Sequence, residues 1–319
     1  MTRIPVRKSF LYFLPFLFLL LILLFPTQAR NGASSGLLLW FNILLPTLLP
    51  FMILSDLIRR LHIVDTLCNR ISSRTGKNLY FLYPLLLGLL TGLPLGAKLT
   101  AEAIRSGQLS RQKGQFLLTV CNNSSTMFLM GYVTEVQLQR PELIVPFLLF
   151  VPLSSLLAAL LLTALSTFFA ALSGTLQHHD TVTAHLLSYT ATASSPSFIS
   201  SVSSSIMDSF TVITQVGGFV ILFSVLAEFV LLIDSPLTLP LVASLEMTTG
   251  VRAVCASSLS ENAKTILSAA AVSFTGLSGI AQTACVLSET GLSLTHYIVS
   301  RILSAAFCII LFCIFTLYP

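Results

Sequence analysis

Long apolar runs almost free of charge constrain this chain more than any other feature. They fall at 10–27, 36–58, 115–133, 142–172, 207–233, 265–287 and 296–317. A bilayer's hydrocarbon core demands about 20 apolar residues per helix, and these runs approach or exceed that length. Only 9% of the 319 residues are charged, against about 25% in a globular domain, which leaves too little polar surface to face water. The expected fold class is an all-α polytopic membrane protein, one membrane domain over 1–319. The first run follows Arg3, Arg7 and Lys8 as a secretory signal would, but its 17 apolar residues (10–26) exceed the usual signal length. It is therefore expected to stay as the first helix.

The same reading excludes several classes. The sequence holds no P-loop, HExxH, nucleophile elbow or dinucleotide fingerprint, so no enzyme, ATP-driven pump or cofactor is expected. Six cysteines form no CxxC pair and mostly sit in apolar runs, where they act as small hydrophobes. His178, His179 and His185 have no accompanying carboxylate or cysteine cluster, so no metal site is expected. The net charge of +5 is not a nucleic-acid footprint, because no aromatics interleave the basic residues.

Glycine, proline and small polar residues interrupt four of the apolar segments, and the interruptions repeat in order. A first repeat covers 36–135, with a re-entrant hairpin near 79–97 (Gly88, Gly92, Pro94, Gly96) and a broken helix at 115–134. A connecting helix at 142–172 and a polar loop at 173–205 follow. A second repeat covers 206–287, with a hairpin near 237–250 and a broken helix at 265–287, and a last helix lies at 296–317. Amphipathic connectors carry each hairpin to its broken helix, through Leu109-Ser110 in one repeat and Leu259-Ser260 in the other. In helix 36–58, Pro46 and Pro50 predict a kink.

Positive charge sets the orientation. With the N-terminus in the cytoplasm, the tail, the 59–78 loop and the 98–114 connector place 12 Lys and Arg inside, against four outside (Arg30, Arg140, Arg252, Lys264). Arg301 lies within the last span. The second hairpin then enters from the side opposite the first, so the two halves form inverted structural repeats. That plan is familiar from secondary transporters, which often self-associate, so a homo-oligomer in the lipid bilayer is compatible with it.

Backbone broken inside a membrane survives only where protein packs it or where it lines a polar cavity. Free N–H groups at a helix start attract anions, and unwound carbonyls attract cations. The candidate binding residues are therefore Gly92, Pro94, Gly96 and Lys98 at the first hairpin, and Asn122, Asn123, Ser124 and Ser125 in the first break. At the second hairpin they are Glu246, Thr248, Thr249 and Gly250, and in the second break Ser273, Thr275 and Gly276. Lys98 adds a full positive charge beside its glycines. Glu246 either holds a coupling proton or cation, or pairs with Arg252. Glu228, alone in its span, is a proton relay or pairs with a neighbouring helix.

Three runs carry a resemblance: GLPLGAKLTAEAIRSGQLS (92–110), LLTVCNNSSTMFLMGYV (117–133) and LEMTTG (245–250). They resemble the sporulation integral membrane proteins of the YlbJ/SpoVV family, over about 36–317. That family belongs to a wider set with a nucleoside-recognition or gate domain, similar in plan to concentrative nucleoside transporters. By position, Gly92, Gly96, Lys98, Asn122, Asn123, Ser124, Glu246 and Gly250 match its recurring motifs, while Leu95 stands where a small residue, often Ser, is usual. The resemblance implies a transporter of dipicolinate, a small anionic substrate, in a bacterial cell membrane, the outer forespore membrane. A nucleoside transporter and a non-transporting assembly protein of the spore membrane are the alternatives.

Overall fold

Helix is the one regular structure that satisfies its own backbone inside lipid within a single segment. Every regular element among the described residues of the computed structural model is helical. The described residues are 6–63, 66–67, 70–71, 81–172, 197–233, 235–288 and 290–317. The expectations for Arg74, Lys77, His178, His179, His185 and most of the 173–205 loop lie outside them. Five described helices are long and apolar enough to cross a membrane. The chain is an all-α polytopic membrane protein.

Helix α1 covers Val6–Leu24, and α2 covers Pro26–Arg60. The second helix starts ten residues before the expected 36, although 26–35 is polar. Packing explains the difference: Gly32 and Gly36 let α2 approach α8 (Phe198–Val230) closely. A Cβ at Gly32 would stand 2.7 Å from Val225 Cα, and one at Gly36 would stand 2.9 Å from Ile221 Cα. Ahead of Pro46 the helix widens to π geometry over Trp40–Leu44, where Leu45 N–H donates to the Trp40 carbonyl. The prolines thus sit beside a register slip, and the helix continues through them. Trp40 Nε1 donates to the Ile213 carbonyl of α8 at 2.8 Å.

Two short helices, α3 (Leu82–Thr91) and α4 (Leu95–Arg105), fold back on each other at Gly92-Leu93-Pro94. Much of the stretch read from sequence as an amphipathic connector is therefore the second limb of this pair. Helix α5 (Arg111–Cys121) stops short, and the chain resumes as π helix α6 (Phe128–Gln137). Helix α7 covers Ile144–Leu172. After α8 comes a second folded-back pair, α9 (Thr238–Leu245) and α10 (Met247–Ala256). Then α11 (Glu261–Phe274) breaks into α12 (Gly276–Val286), and α13 covers Leu294–Leu317.

The two repeated Leu-Ser junctions perform the same task. Ser110 accepts the Lys113 amide and Ser260 the Ala263 amide, each at 3.4 Å, as N-caps of α5 and α11. The core lies among α2, α6, α7, α8 and α13, where Tyr132, Phe147, Val151, Ile213 and Phe312 are buried. Phe147 and Phe312 meet with ring centroids 4.7 Å apart. Large apolar side chains such as Leu86, Phe168, Leu222 and Ile302 stay exposed and form the surface offered to lipid.

Candidate functional site at the meeting of four breaks

The turn of the first helix pair packs against the first break. Leu93 N–H donates to the Asn123 carbonyl at 2.7 Å, and the Ala97 amide donates to Asn122 Oδ1 at 3.1 Å. Gly92 has φ +72°, and a Cβ there would lie 2.5 Å from Ser125 N; one at Gly96 would lie 2.5 Å from the Cys121 carbonyl. No other residue permits that approach. Asn122 therefore caps α4 from across the break. Its amide nitrogen donates to Thr283 Oγ1 and to the Tyr297 hydroxyl, both at 2.8 Å. Ser125 Oγ accepts the Phe128 amide at 3.1 Å and starts the next helix.

The second pair repeats this arrangement. Thr275 ends α11 at φ +70°, ψ 0°, followed by Gly276 at φ +67°. A Cβ on Gly276 would lie 3.1 Å from Met247 N and 3.2 Å from the Leu245 carbonyl, at the turn between α9 and α10. Gly250 brings the two limbs together, since its Cβ would lie 2.3 Å from Ala243 Cα. Across the molecule, Ser124 Oγ donates to the Val272 carbonyl at 2.9 Å, and Leu93 Cδ1 lies 3.1 Å from a Cβ position on Gly279. Both turns and both breaks thus form one buried polar cluster.

Glu246 does not pair with Arg252. Its buried carboxylate caps α10, accepting the Thr249 amide at 2.7 Å, the Thr248 amide at 3.2 Å and the Thr248 hydroxyl. Arg252 pairs instead with Glu228 of α8 at 3.6 Å. Thr249 Oγ1 meets Ser224 Oγ at 3.0 Å. The start of α12 has no such cap. Thr275 makes no side-chain bond to it, and Thr275 Oγ1 and Gln282 Oε1 are buried without partners; Ser273 is buried one turn earlier. An uncapped helix start presents free N–H groups and partial positive charge.

Lys98 is not in this cluster. It lies one turn into α4 and lines a crevice with Ser55, Asp56, Arg59, Glu102 and Ser209. Asp56 there holds Arg59 and Arg60 at 2.6 Å each, and Arg59 also reaches Glu102 at 3.4 Å. The cation at the cluster is Arg301 of α13, fully buried and absent from the sequence-derived candidates. It donates to Asn123 Oδ1 and to the Thr119 carbonyl. The signal was present, as an arginine inside an apolar run, but its position near one end of the run reads equally as a side chain reaching out to the surface.

No family model matches the chain, and no solved structure matches it. The sporulation integral membrane protein YlbJ of Bacillus subtilis (strain 168) is 27% identical over 327 aligned positions, covering 92% of this chain and 79% of that protein. By sequence along nearly its whole length, and by its apolar helices, this integral membrane protein is a relative of the sporulation protein YlbJ.

Proposed function

We propose that the chain is a transporter that carries a small anionic metabolite, dipicolinate, across a spore membrane during sporulation. One observation carries the reading: four backbone interruptions meet in a single buried polar cluster among apolar spans. Broken helices meeting between repeats are how secondary transporters build a substrate site. The uncapped start of α12 and the unpartnered Thr275 hydroxyl suit an anion. The Asn122–Asn123 amides hold the first hairpin turn and Arg301 in place around that cluster. The relative's name supplies the sporulation setting.

In this reading the two helix pairs are re-entrant hairpins of inverted repeats, entered from opposite faces, with the N-terminus cytoplasmic. Glu246 serves chiefly to hold the α10 turn in place, and a coupling proton or cation would act through it only by releasing that cap. The test is uptake of labelled dipicolinate into proteoliposomes containing the purified chain, with and without excess uridine or adenosine. Saturable uptake untouched by nucleoside is the expected result. Inhibition by nucleoside would move the substrate to the nucleoside class, and no uptake by correctly inserted protein would overturn transport of this acid.

A further inference from the structure

Among the described residues, Arg301 is the one fully buried cation, and no ion pair joins it to a carboxylate. The other buried or half-buried basic side chains that face an acid do so near helix ends, as Arg59, Arg60, Arg140, Arg252 and Lys264 do. The Arg301 guanidinium instead meets two neutral oxygens and stands 5.2 Å from the centroid of the Tyr297 ring, and its Nε–H is buried with no acceptor. Burying a full charge without a counter-charge is costly, and an orphaned buried donor adds to the cost.

Bracing the first break does not require that charge. A glutamine amide could donate to the Thr119 and Asn123 oxygens without it. The other cation near the first hairpin, Lys98, lies outside the cluster, in a crevice it shares with Asp56, Arg59 and Glu102. Arg301, by contrast, sits on Asn123, whose backbone carbonyl holds the first hairpin turn and whose neighbour Asn122 caps α4.

We propose that Arg301 is the docking residue for a carboxylate of the transported acid, with the Asn122–Asn123 amides beside it and the Tyr297 ring behind it. The ligand class is a small planar carboxylic acid. A guanidinium presents a fork that matches a carboxylate and stays charged at any physiological pH. This assignment deepens the transport reading above and rests on it.

The test is equilibrium binding to the purified full chain in detergent, with labelled dipicolinate, phthalate and benzoate each measured directly and the uncharged diamide of dipicolinate as competitor. Wild type should favour the acids over the diamide. Arg301→Gln should weaken dipicolinate by at least about tenfold and bring acid and diamide close to parity, which loss of a brace alone would not do. Lys98→Gln should stay within about twofold, as expected of a side chain outside the site. If Arg301→Gln gives no folded protein, Arg301→Lys carries the test: it keeps the charge but loses the fork, and a drop of about tenfold supports the assignment. Unchanged affinity and unchanged preference for acids in the folded variant would overturn it. If wild type binds phthalate or benzoate but not dipicolinate, the substrate named above falls while Arg301 is judged on the acid that binds. If it binds none of them, both fall.

Discussion

Thr275 shows how a single side chain can be held against its own preference. A β-branched residue in the left-handed region costs about 1–2 kcal/mol relative to a right-handed conformation. Here the chain must turn between α11 and α12 while Gly276 lies against the turn at Met247, and that contact fixes the geometry. Thr275→Gly should therefore raise the thermal stability of the purified protein by about 1 kcal/mol, while uptake falls because the free hydroxyl is gone. A melt that drops instead would mean that Oγ1 supports the fold. Glu246 makes a complementary case. Its carboxylate satisfies two amides and a hydroxyl, so Glu246→Ala should cost about 2 kcal/mol or more in the same melts, and Glu246→Gln less. The sequence marked Glu246 as costly in the membrane and offered Arg252 as a partner. Its obvious neighbour Arg252, six residues on, turns to α8 instead.

At the scale of elements, the breaks were legible and the limbs were not. An Asn-Asn-Ser-Ser run or a Gly-Leu-Pro turn inside apolar sequence interrupts a pattern that lipid otherwise enforces, so its place can be read directly. Helix α4 was harder, because Lys98, Glu102 and Arg105 recur along it at helical spacing as the polar stripe of a surface helix would, although most of the helix is buried. Periodicity cannot say whether protein or water lies opposite. Likewise the polar start of α2 is helical because of Gly32 and Gly36 against α8, a tertiary cause invisible in one segment. Two glycines with the same φ of +72° separate backbone preference from close packing. Gly107→Ala, with nothing within 4 Å of its Cβ position, should cost about 1–2 kcal/mol. Gly92→Ala must also displace the Ser125 amide, so it should cost about 2–5 kcal/mol and lower the yield of folded protein. Equal effects in denaturation would mean that the first turn is looser than described.

For the whole molecule, charge placement in the sequence predicts that the two helix pairs open to opposite faces of the membrane. Ser106 follows the first pair and Ser258 the second, and both are exposed. In a background without native cysteines, Ser106→Cys should react with an impermeant maleimide from the cytoplasmic side and Ser258→Cys from the other. Labelling of both from one side would end the inverted arrangement. At this scale the sequence pointed to convergence of the four breaks but not to the contacts that make it. The sequence locates each interruption along the chain, but only tertiary packing brings residues 93, 123, 247 and 275 to one place.

The helix pairs also bear on the order in which the protein can be assembled. Helix α3 has 10 residues and so rises about 15 Å, half of a hydrocarbon core of about 30 Å. Such a limb cannot cross on its own, and its polar turn has no partner in lipid. That partner is Asn123, made some 30 residues later, just as the turn at Met247 precedes the Thr275–Gly276 break it rests on. Each pair must wait, at the surface or within the insertion machinery, for the segment that follows it. Maturation of this protein should therefore be late and stepwise, with its centre the last part to close.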